Sequence, residues 1–192
     1  MAADECGRQL SLLRAGLSDP RSIRREGPGQ SAAAVLVPIF VRDSALHVLY
    51  ILRSNLVATH RGQVAFPGGR LDARDDSLAA TALREADEEV AIDPASVELL
   101  GAFRTMLTST SGMTVASFAG LIPAPTNLRA NPYEVAEIFS VPMAVLRDPG
   151  YRGSHRWRRD GPPMDFPAIV YGGRPIWGLT YRITLELLEI LG

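Results

Sequence analysis

The stretch that most restricts this chain is an acidic one. From Leu78 to Val90 it reads Leu-Ala-Ala-Thr-Ala-Leu-Arg-Glu-Ala-Asp-Glu-Glu-Val. At about 100° of rotation per residue, Leu78, Ala79, Ala82, Leu83, Ala86 and Val90 share one face of a helix, and that face belongs to a core. Glu85 and Glu89, spaced i and i+4, project together along one edge of the apolar stripe, with Glu88 one step further out. Like charges at that spacing cost an isolated helix about 0.2–0.5 kcal/mol per pair. They also fall near the C-terminal end, where the helix dipole disfavours anions. Local stability therefore did not select them. Hard cations such as Mg2+ take oxygen ligands and bridge carboxylates to substrate phosphates, so the repulsion becomes useful in a phosphoryl-chemistry site. Just upstream, Phe66-Pro67-Gly68-Gly69-Arg70 is a turn whose paired glycines take backbone angles closed to other residues and let main-chain carbonyls face an ion. The acidic run alone would read as a solvated helix face; turn and helix together read as a metal site.

The whole string from Gly69 through Asp76 to Arg84-Glu85-Ala86-x-Glu88-Glu89-x-Ala91-Ile92 resembles the Nudix box, Gly-x5-Glu-x7-Arg-Glu-(apolar)-x-Glu-Glu-x-Gly-(apolar). It departs in three places. Six residues separate Gly69 from Asp76, unless Asp75 fills the acid position and the second gap grows. Asp replaces the first Glu, and Ala91 stands where the box has Gly, so the helix is free to end differently. Arg84, Glu85, Glu88 and Glu89 are intact.

Upstream, Arg53-Ser54 follows the strand-like Leu49-Tyr-Ile-Leu52, and Gly62-Gln63-Val64-Ala65-Phe66-Pro67-Gly68-Gly69 closes the approach. This spacing resembles the coenzyme A pyrophosphatase subgroup of the family, except that Ala58 replaces an intermediate Arg. Arg61, three residues later, offers a replacement charge. The resemblance implies substrate contacts from Arg53, Ser54, Arg61, Gly62, Gln63 and Phe66.

Composition narrows the partners. With 20 basic and 21 acidic residues the net charge is −1, which argues against a broadly basic nucleic-acid binder. All the basic residues are Arg. That suits phosphate recognition, although a GC-rich genome produces the same bias. The single cysteine, Cys6, cannot form an internal disulfide and is expected in a mobile N-terminal segment of a protein from a reducing compartment. The opening residues lack an apolar signal core, and the longest apolar stretch, Ala32 to Phe40, is about half of what a bilayer span requires. The expectation is a cytoplasmic protein whose partner is a small-molecule substrate, with no nucleic acid and no membrane; the oligomeric state is left open.

Along the chain, Leu10, Leu13 and Leu17 predict a short helix over Gln9–Leu17, ended by Ser18-Asp19-Pro20, and residues 21–30 read as a linker. Residues 1–30 are thus expected to form a docked helix and linker, and 31–192 the main domain. Ala32–Phe40 and Leu46–Leu52 predict buried strands joined near Arg42-Asp43-Ser44. Val97–Phe103 and Thr114–Ile122 predict further strands. A C-terminal helix with Leu179, Ile183, Leu187, Leu188 and Leu191 on one face should cover the sheet opposite the acidic helix. This order suits the α/β/α sandwich, a mixed sheet between helices, that the resemblance implies.

Glu134 and Glu137 resemble a downstream Nudix segment that brings another carboxylate toward the metals or supplies a general base; Glu134 is the candidate carried forward, against an ordinary exposed acid. The histidines share no metal-ligand spacing. Tyr151–Arg159 alternates cationic and aromatic groups that could stack an adenine and hold a phosphate, or simply form a surface loop.

The family likeness implies hydrolysis of a pyrophosphate bond with Mg2+ or Mn2+. Glu85 and Glu89 are the prime metal ligands, Glu88 completes the cluster as ligand or water-positioning group, and the Gly69 carbonyl is a further ligand. Arg84 ties the helix to the loop through Asp72, Asp75 or Asp76, or meets substrate phosphate. For coenzyme A the products would be adenosine 3′,5′-bisphosphate and 4′-phosphopantetheine. The competing readings are a Nudix hydrolase for ADP-ribose, dinucleotide polyphosphates or oxidised nucleotides, and a non-catalytic nucleotide sensor.

Overall fold

The apolar run from Ala32 becomes the centre of a mixed sheet. In the computed structural model, which describes residues 2–23, 32–108, 112–125, 127–158 and 161–192, the elements are α1 (Ala2–Gly16), β1 (Ala32–Arg42), β2 (Ala45–Arg53), β3 (Val64–Ala65), β4 (Gly68–Arg70), α2 (Leu78–Val90), β5 (Glu98–Ala102), β6 (Met106–Leu107), β7 (Thr114–Leu121), β8 (Val135–Pro142), α3 (Met143–Arg147), β9 (Arg152–Trp157), β10 (Met164–Tyr171), β11 (Arg174–Trp177) and α4 (Gly178–Leu191). Residues 24–30 of the expected linker, and Arg159 of the expected recognition loop, lie outside the described residues. β1 runs parallel to β7 and antiparallel to β2 and β4. β8 lies along β2, and β5 and β6 pair with β7.

Alternation along the strands sorts the core into two layers. Ala34, Leu36, Phe40, Leu49 and Ile51 pack with Leu78, Ala82, Ala86 and Val90 of α2. Val37, Ile39, Val48 and Tyr50 point the other way, to Leu13 of α1 and Ile183, Leu187 and Leu191 of α4. This is the α/β/α sandwich, with the C-terminal helix opposite the acidic one as expected. The β1–β2 connection is a two-residue hairpin in which Asp43 and Ser44 both take positive φ, 51° and 58°, the mirror-image turn that matches strand twist.

Two features depart from the sequence expectations. The N-terminal helix begins at Ala2 rather than Gln9, and Cys6 is buried in it, its Sγ 3.3 Å from the Ser44 carbonyl. Cys6 extends the Leu10–Leu13 face by one more turn and packs as a small apolar group, so the mobile segment expected there is an ordered helix. Between them the sequence left the segment after Glu134 unassigned: Glu134 lies in a turn, and the residues after it form β8. Finally, the stretch after Pro149 holds a second antiparallel sheet, β11–β10–β9. The expected recognition loop is therefore mostly strand, and the rings of His155 and Trp157 pack with Phe166 and Trp177 at centroid distances of 4.8–6.1 Å.

α2 ends in a way the sequence left open. Ala91 takes the left-handed conformation, φ 59° and ψ 39°, with its N–H donated to Asp87 and that of Ile92 to Ala86. The helix closes as it would with glycine, at a steric cost of about 1 kcal/mol for a residue with a Cβ. Ala91→Gly is therefore expected to stabilise the protein by about 0.5–1 kcal/mol and raise the melting temperature by roughly 2 °C; a lower melting temperature in calorimetry would show that the closure carries no strain.

Candidate active site

The site is built where β1 changes partners. β4 pairs with Ala33–Val35, Leu36 donates its N–H to the Pro67 carbonyl at 2.9 Å, and β2 takes over from Ile39. Pro38, which has no N–H for a ladder, sits in this exchange. The chain from β3 to β4 crosses the gap, so Gly68 and Gly69 are pressed between β1 and α2. A Cβ at Gly68 would meet the Ala34 carbonyl, and one at Gly69 would meet the Glu85 carboxylate. This crowding explains the glycine pair: both positions need close approach and neither takes positive φ.

α2 is fixed against this turn at two points. The Ser77 hydroxyl caps it by accepting the Ala80 N–H at 3.1 Å, a contact worth about 1 kcal/mol. Arg84 then reaches back to Asp75 with two parallel hydrogen bonds, Nε at 2.9 Å and Nη2 at 3.0 Å, and also to the Arg70 carbonyl at 3.2 Å. Of the three acids considered for this tie it is Asp75, and Asp76 stays exposed. Asp75 also accepts the Thr81 hydroxyl and the Asp72 N–H. The Arg84 guanidinium holds its carboxyl well below the usual range, at about 2, and the same bonds raise Arg84.

Three carboxylates converge beside Gly69. Glu85, Glu89 and Glu134 each offer an oxygen, and these atoms lie within 4.8 Å of one another. Glu89 is 1% exposed; it accepts the Gly68 N–H at 3.0 Å and faces Arg53 Nη1 at 3.4 Å. Burial pushes Glu89 up to about 7 against those two contacts, with Glu134 and Glu85 adding repulsion. Glu85 is also raised, again chiefly by burial, despite its bond to Arg84.

Glu134 arrives from a different part of the chain, and the helix end explains how. The last carbonyls of a helix lack partners within it; here the Val90 carbonyl accepts the Arg129 N–H at 3.2 Å and the Glu89 carbonyl the Asn131 N–H at 2.9 Å. Asn131 then turns the chain by accepting the N–H groups of Glu134 and Val135 on its carbonyl. The Glu134 carbonyl accepts the Ser54 N–H at 2.8 Å, which locks this turn to the end of β2.

The other sequence candidates are distributed around this cluster. Glu88 lies outside the converging group; it is half-exposed and paired to Arg84 Nη1 at 2.9 Å. Glu137 points to the opposite side, where Arg174 holds it at 2.9 Å and stacks on Phe139. Arg53 borders the cluster with a buried Nε that has no hydrogen-bond partner among the described residues. Ser54 is buried, with its hydroxyl accepting the Leu56 N–H, and Phe66 is buried against Tyr50. Arg61 is exposed and bonds the Val57 carbonyl at 2.7 Å; Gly62 takes φ 64°, and Gln63 meets the His60 ring at 3.0 Å. These last residues shape the loop that closes onto Arg53 through the Arg53–Gln63 and Gly62–Arg53 backbone bonds.

Chemically, the cluster offers hard oxygen donors on two elements. Two guanidiniums border it, Arg53 at 3.4 Å from Glu89 and Arg84 at 2.9 Å from Glu85, and Arg84 is shared with Asp75 and Glu88, which leaves the three acids under-neutralised. That donor set fits a hard divalent cation.

A family model for the NUDIX domain matches residues 31–160, well over half of the chain. The chain belongs to the Nudix family. Similar Nudix proteins cover its full length: the uncharacterized Nudix hydrolase NudL of Citrobacter koseri is 37% identical over 193 residues, 100% of this chain and 96% of the relative. NudL of Photorhabdus laumondii is 39% identical over 171 residues, 88% of this chain and 90% of the relative. Among solved structures, a MutT/nudix family protein from Enterococcus faecalis superposes with a TM-score of 0.51 at 18% identity, over 90% of this chain and 71% of its own. A C. elegans Ap4A hydrolase complex gives 0.50 at 17% identity, over 59% and 81%. These structures share the fold. The protein is a Nudix hydrolase, of a family that works with divalent metal ions, and none of its described helices is long and apolar enough to cross a membrane.

Buried acids give the metal-free protein a characteristic pH response. Glu89 binds its proton more tightly folded than unfolded, where a glutamate ionises near pH 4.3, so folding loses stability as pH rises from about 4 through 7. Asp75 has the opposite sign and adds stability as pH rises from about 2 to 4. With a chelator present, stability should therefore fall by roughly 2 kcal/mol between pH 5 and pH 8, and excess Mg2+ should recover the loss at pH 8. Thermal melts under the four conditions check this; equal melting temperatures throughout would mean that burial does not favour the protonated form of Glu89 in the folded state.

Proposed function

We propose that this Nudix hydrolase cleaves the pyrophosphate bond of coenzyme A or its derivatives to adenosine 3′,5′-bisphosphate and 4′-phosphopantetheine, with Mg2+ or Mn2+ held by Glu85, Glu89 and Glu134. The observation that carries the chemistry is the convergence of those carboxylates next to Gly69, with Arg53 at their edge. The specificity rests on the Arg53-Ser54, Gly62 and Phe66-Pro67-Gly68-Gly69 spacing, whose residues line the loop that closes onto the cluster. We take residues 31–192 as the catalytic unit, α1 as an appendage docked on it, and the cytoplasm as its setting.

A divalent cation at the cluster would neutralise phosphate oxygens and acidify the attacking water. The chain does the rest. Glu89 is immobilised by the Gly68 N–H and by burial, so its oxygens stay in place without a partner loop. The Arg53 guanidinium, 3.4 Å from Glu89, would offset charge as the leaving phosphate departs. A carboxylate of the cluster that is not bound to the cation would accept the proton that the water releases. Arg84 touches Glu85 and Glu88 but is committed to Asp75. It acts as a positioning residue, and Glu88 serves the cluster from its edge.

A second reading, hydrolysis of another nucleoside diphosphate derivative such as ADP-ribose or a dinucleotide polyphosphate, is favoured by Ala58. That residue is exposed in the loop where the coenzyme A pattern has an arginine.

Glu85→Gln and Glu89→Gln should each lower kcat by two orders of magnitude or more with the melting temperature kept, Glu134→Gln by about tenfold or more, and Glu88→Gln by less than Glu89→Gln. Anion-exchange analysis of products from coenzyme A, ADP-ribose and a diadenosine polyphosphate, each with Mg2+, Mn2+ or chelator, decides the substrate. Metal-dependent release of adenosine 3′,5′-bisphosphate as the fastest reaction supports the proposal. Faster cleavage of another substrate selects the second reading, and near-normal turnover by Glu89→Gln would refute the metal assignment.

A further inference from the structure

Tyr133 is the most exposed large apolar side chain among the described residues, at 74%, and it immediately precedes Glu134. Neither fact alone is informative, since single exposed aromatics are common. Their combination with the backbone around them is. Asn131 is bonded to the end of α2 through the Glu89 carbonyl, and its side-chain Oδ1 accepts the Tyr133 N–H at 3.2 Å. Pro132 fixes its own φ between them, and the Glu134 carbonyl is tied to Ser54. The exposed ring therefore stands on one of the most firmly anchored turns of the site, and among the described residues no other ring or guanidinium stacks on it. The loop joined to this turn at Ser54 carries a second exposed apolar side chain, Leu56, 70% exposed, whose N–H is held by the Ser54 hydroxyl at 3.2 Å. Two exposed apolar groups thus stand on two loops that are hydrogen-bonded to each other, one of which carries the cluster carboxylate Glu134.

From this arrangement we infer that Tyr133 is a specificity-determining residue that stacks on the nucleobase of the substrate while the pyrophosphate lies at Glu85, Glu89 and Glu134, with Leu56 bordering the same base. The inference rests on the hydrolase reading and adds to it the residue that selects a flat ring on one side of the pyrophosphate. The occupant is the substrate's base rather than a protein because Tyr133 and a cluster carboxylate are consecutive residues of one anchored turn, so a flat group on the ring stays within the reach of a molecule whose pyrophosphate lies at the cluster. A tyrosine held on a fixed backbone has only two side-chain torsions to restrict on binding, and a base on an aromatic ring strengthens binding by about tenfold or more.

The test compares two ligands that share an uncleavable bridge between phosphorus atoms. α,β-Methylene-ADP carries a base and methylenebisphosphonate does not. Binding of each to the full chain with Mg2+ is measured by calorimetry for wild type, Tyr133→Ala and Tyr133→Phe. The expected result is about tenfold weaker binding of α,β-methylene-ADP by Tyr133→Ala, near-wild-type binding by Tyr133→Phe, and unchanged affinity of all three for methylenebisphosphonate. In turnover, Tyr133→Ala should raise KM about tenfold while kcat stays within about twofold. Equal binding of α,β-methylene-ADP by wild type and Tyr133→Ala would overturn the inference. So would an equal loss for both ligands, which would mean that the residue only supports Glu134, and so would a wild type that binds the two ligands alike. If base-dependent binding is lost in Tyr133→Ala but no pyrophosphate substrate is cleaved by wild type, the hydrolase reading fails and the ring contact stands.

Discussion

The guanidinium of Arg84 joins the parts from which the site is made. Its two parallel bonds to Asp75 hold the loop after β4, its bond to the Arg70 carbonyl holds the strand end, and Nη1 faces Glu85 and Glu88. The pair is largely buried, with side-chain exposures of 21% and 5%. Removing either partner would leave an uncompensated charge, which costs several kcal/mol. A lysine could not replace it, because one ammonium cannot present a planar fork to a carboxylate and reach two other acids together. The position of Glu85 relative to Gly69 thus depends on a salt bridge nine residues long in sequence, made before any ligand is considered.

Around that anchor the site is arranged against local stability. Acids near the C-terminal end of a helix oppose its dipole, and here one of them is 1% exposed. Arg53 alone lies near Glu89, at a distance too long for a strong pair. The neighbouring backbone is by contrast fully used. The Gly68 N–H goes to Glu89, the α2 carbonyls go to Arg129 and Asn131, and the Glu134 carbonyl goes to Ser54. Backbone bonds of this kind hold like charges together without neutralising them, which is the condition a cation site requires.

Much of this was legible in the sequence. The apolar faces of α2 and of the C-terminal helix follow from helical periodicity, the two central strands from apolar runs buried on both faces, and the hairpin at Asp43-Ser44 from the polar break between those runs. Less legible were the elements whose pattern is diluted. β9 alternates Arg and Ser with Gly, His and Trp, and reads as a polar loop until its pairing with β10 is seen. The hairpin signal that would have exposed the small sheet, Gly172-Gly173 between β10 and β11, was present, and both glycines take positive φ there. Cys6 reads as part of a mobile terminus because Gly7 and Arg8 follow it directly, and its place on the Leu10–Leu13 face shows only once the helix extends back to Ala2.

By itself the sequence determined the helix and its carboxylates, since spacing along a regular helix fixes which side chains can meet; the glycine pair before it, which reads as a turn with unusual backbone angles, is instead a short strand where no Cβ fits. Tertiary structure decided which acids meet across elements. Asp75 rather than Asp76 takes Arg84, because the loop closes through the Asp72–Asp75 backbone bond and presents Asp75 to α2. Glu134 rather than Glu88 completes the cluster, because the free carbonyls at the end of α2 capture Asn131 and carry its turn to the site, while Glu88 is turned outward to Arg84. Helical periodicity ranks neighbours within one element only. The partners that helix termini recruit from distant loops depend on the path of the whole chain.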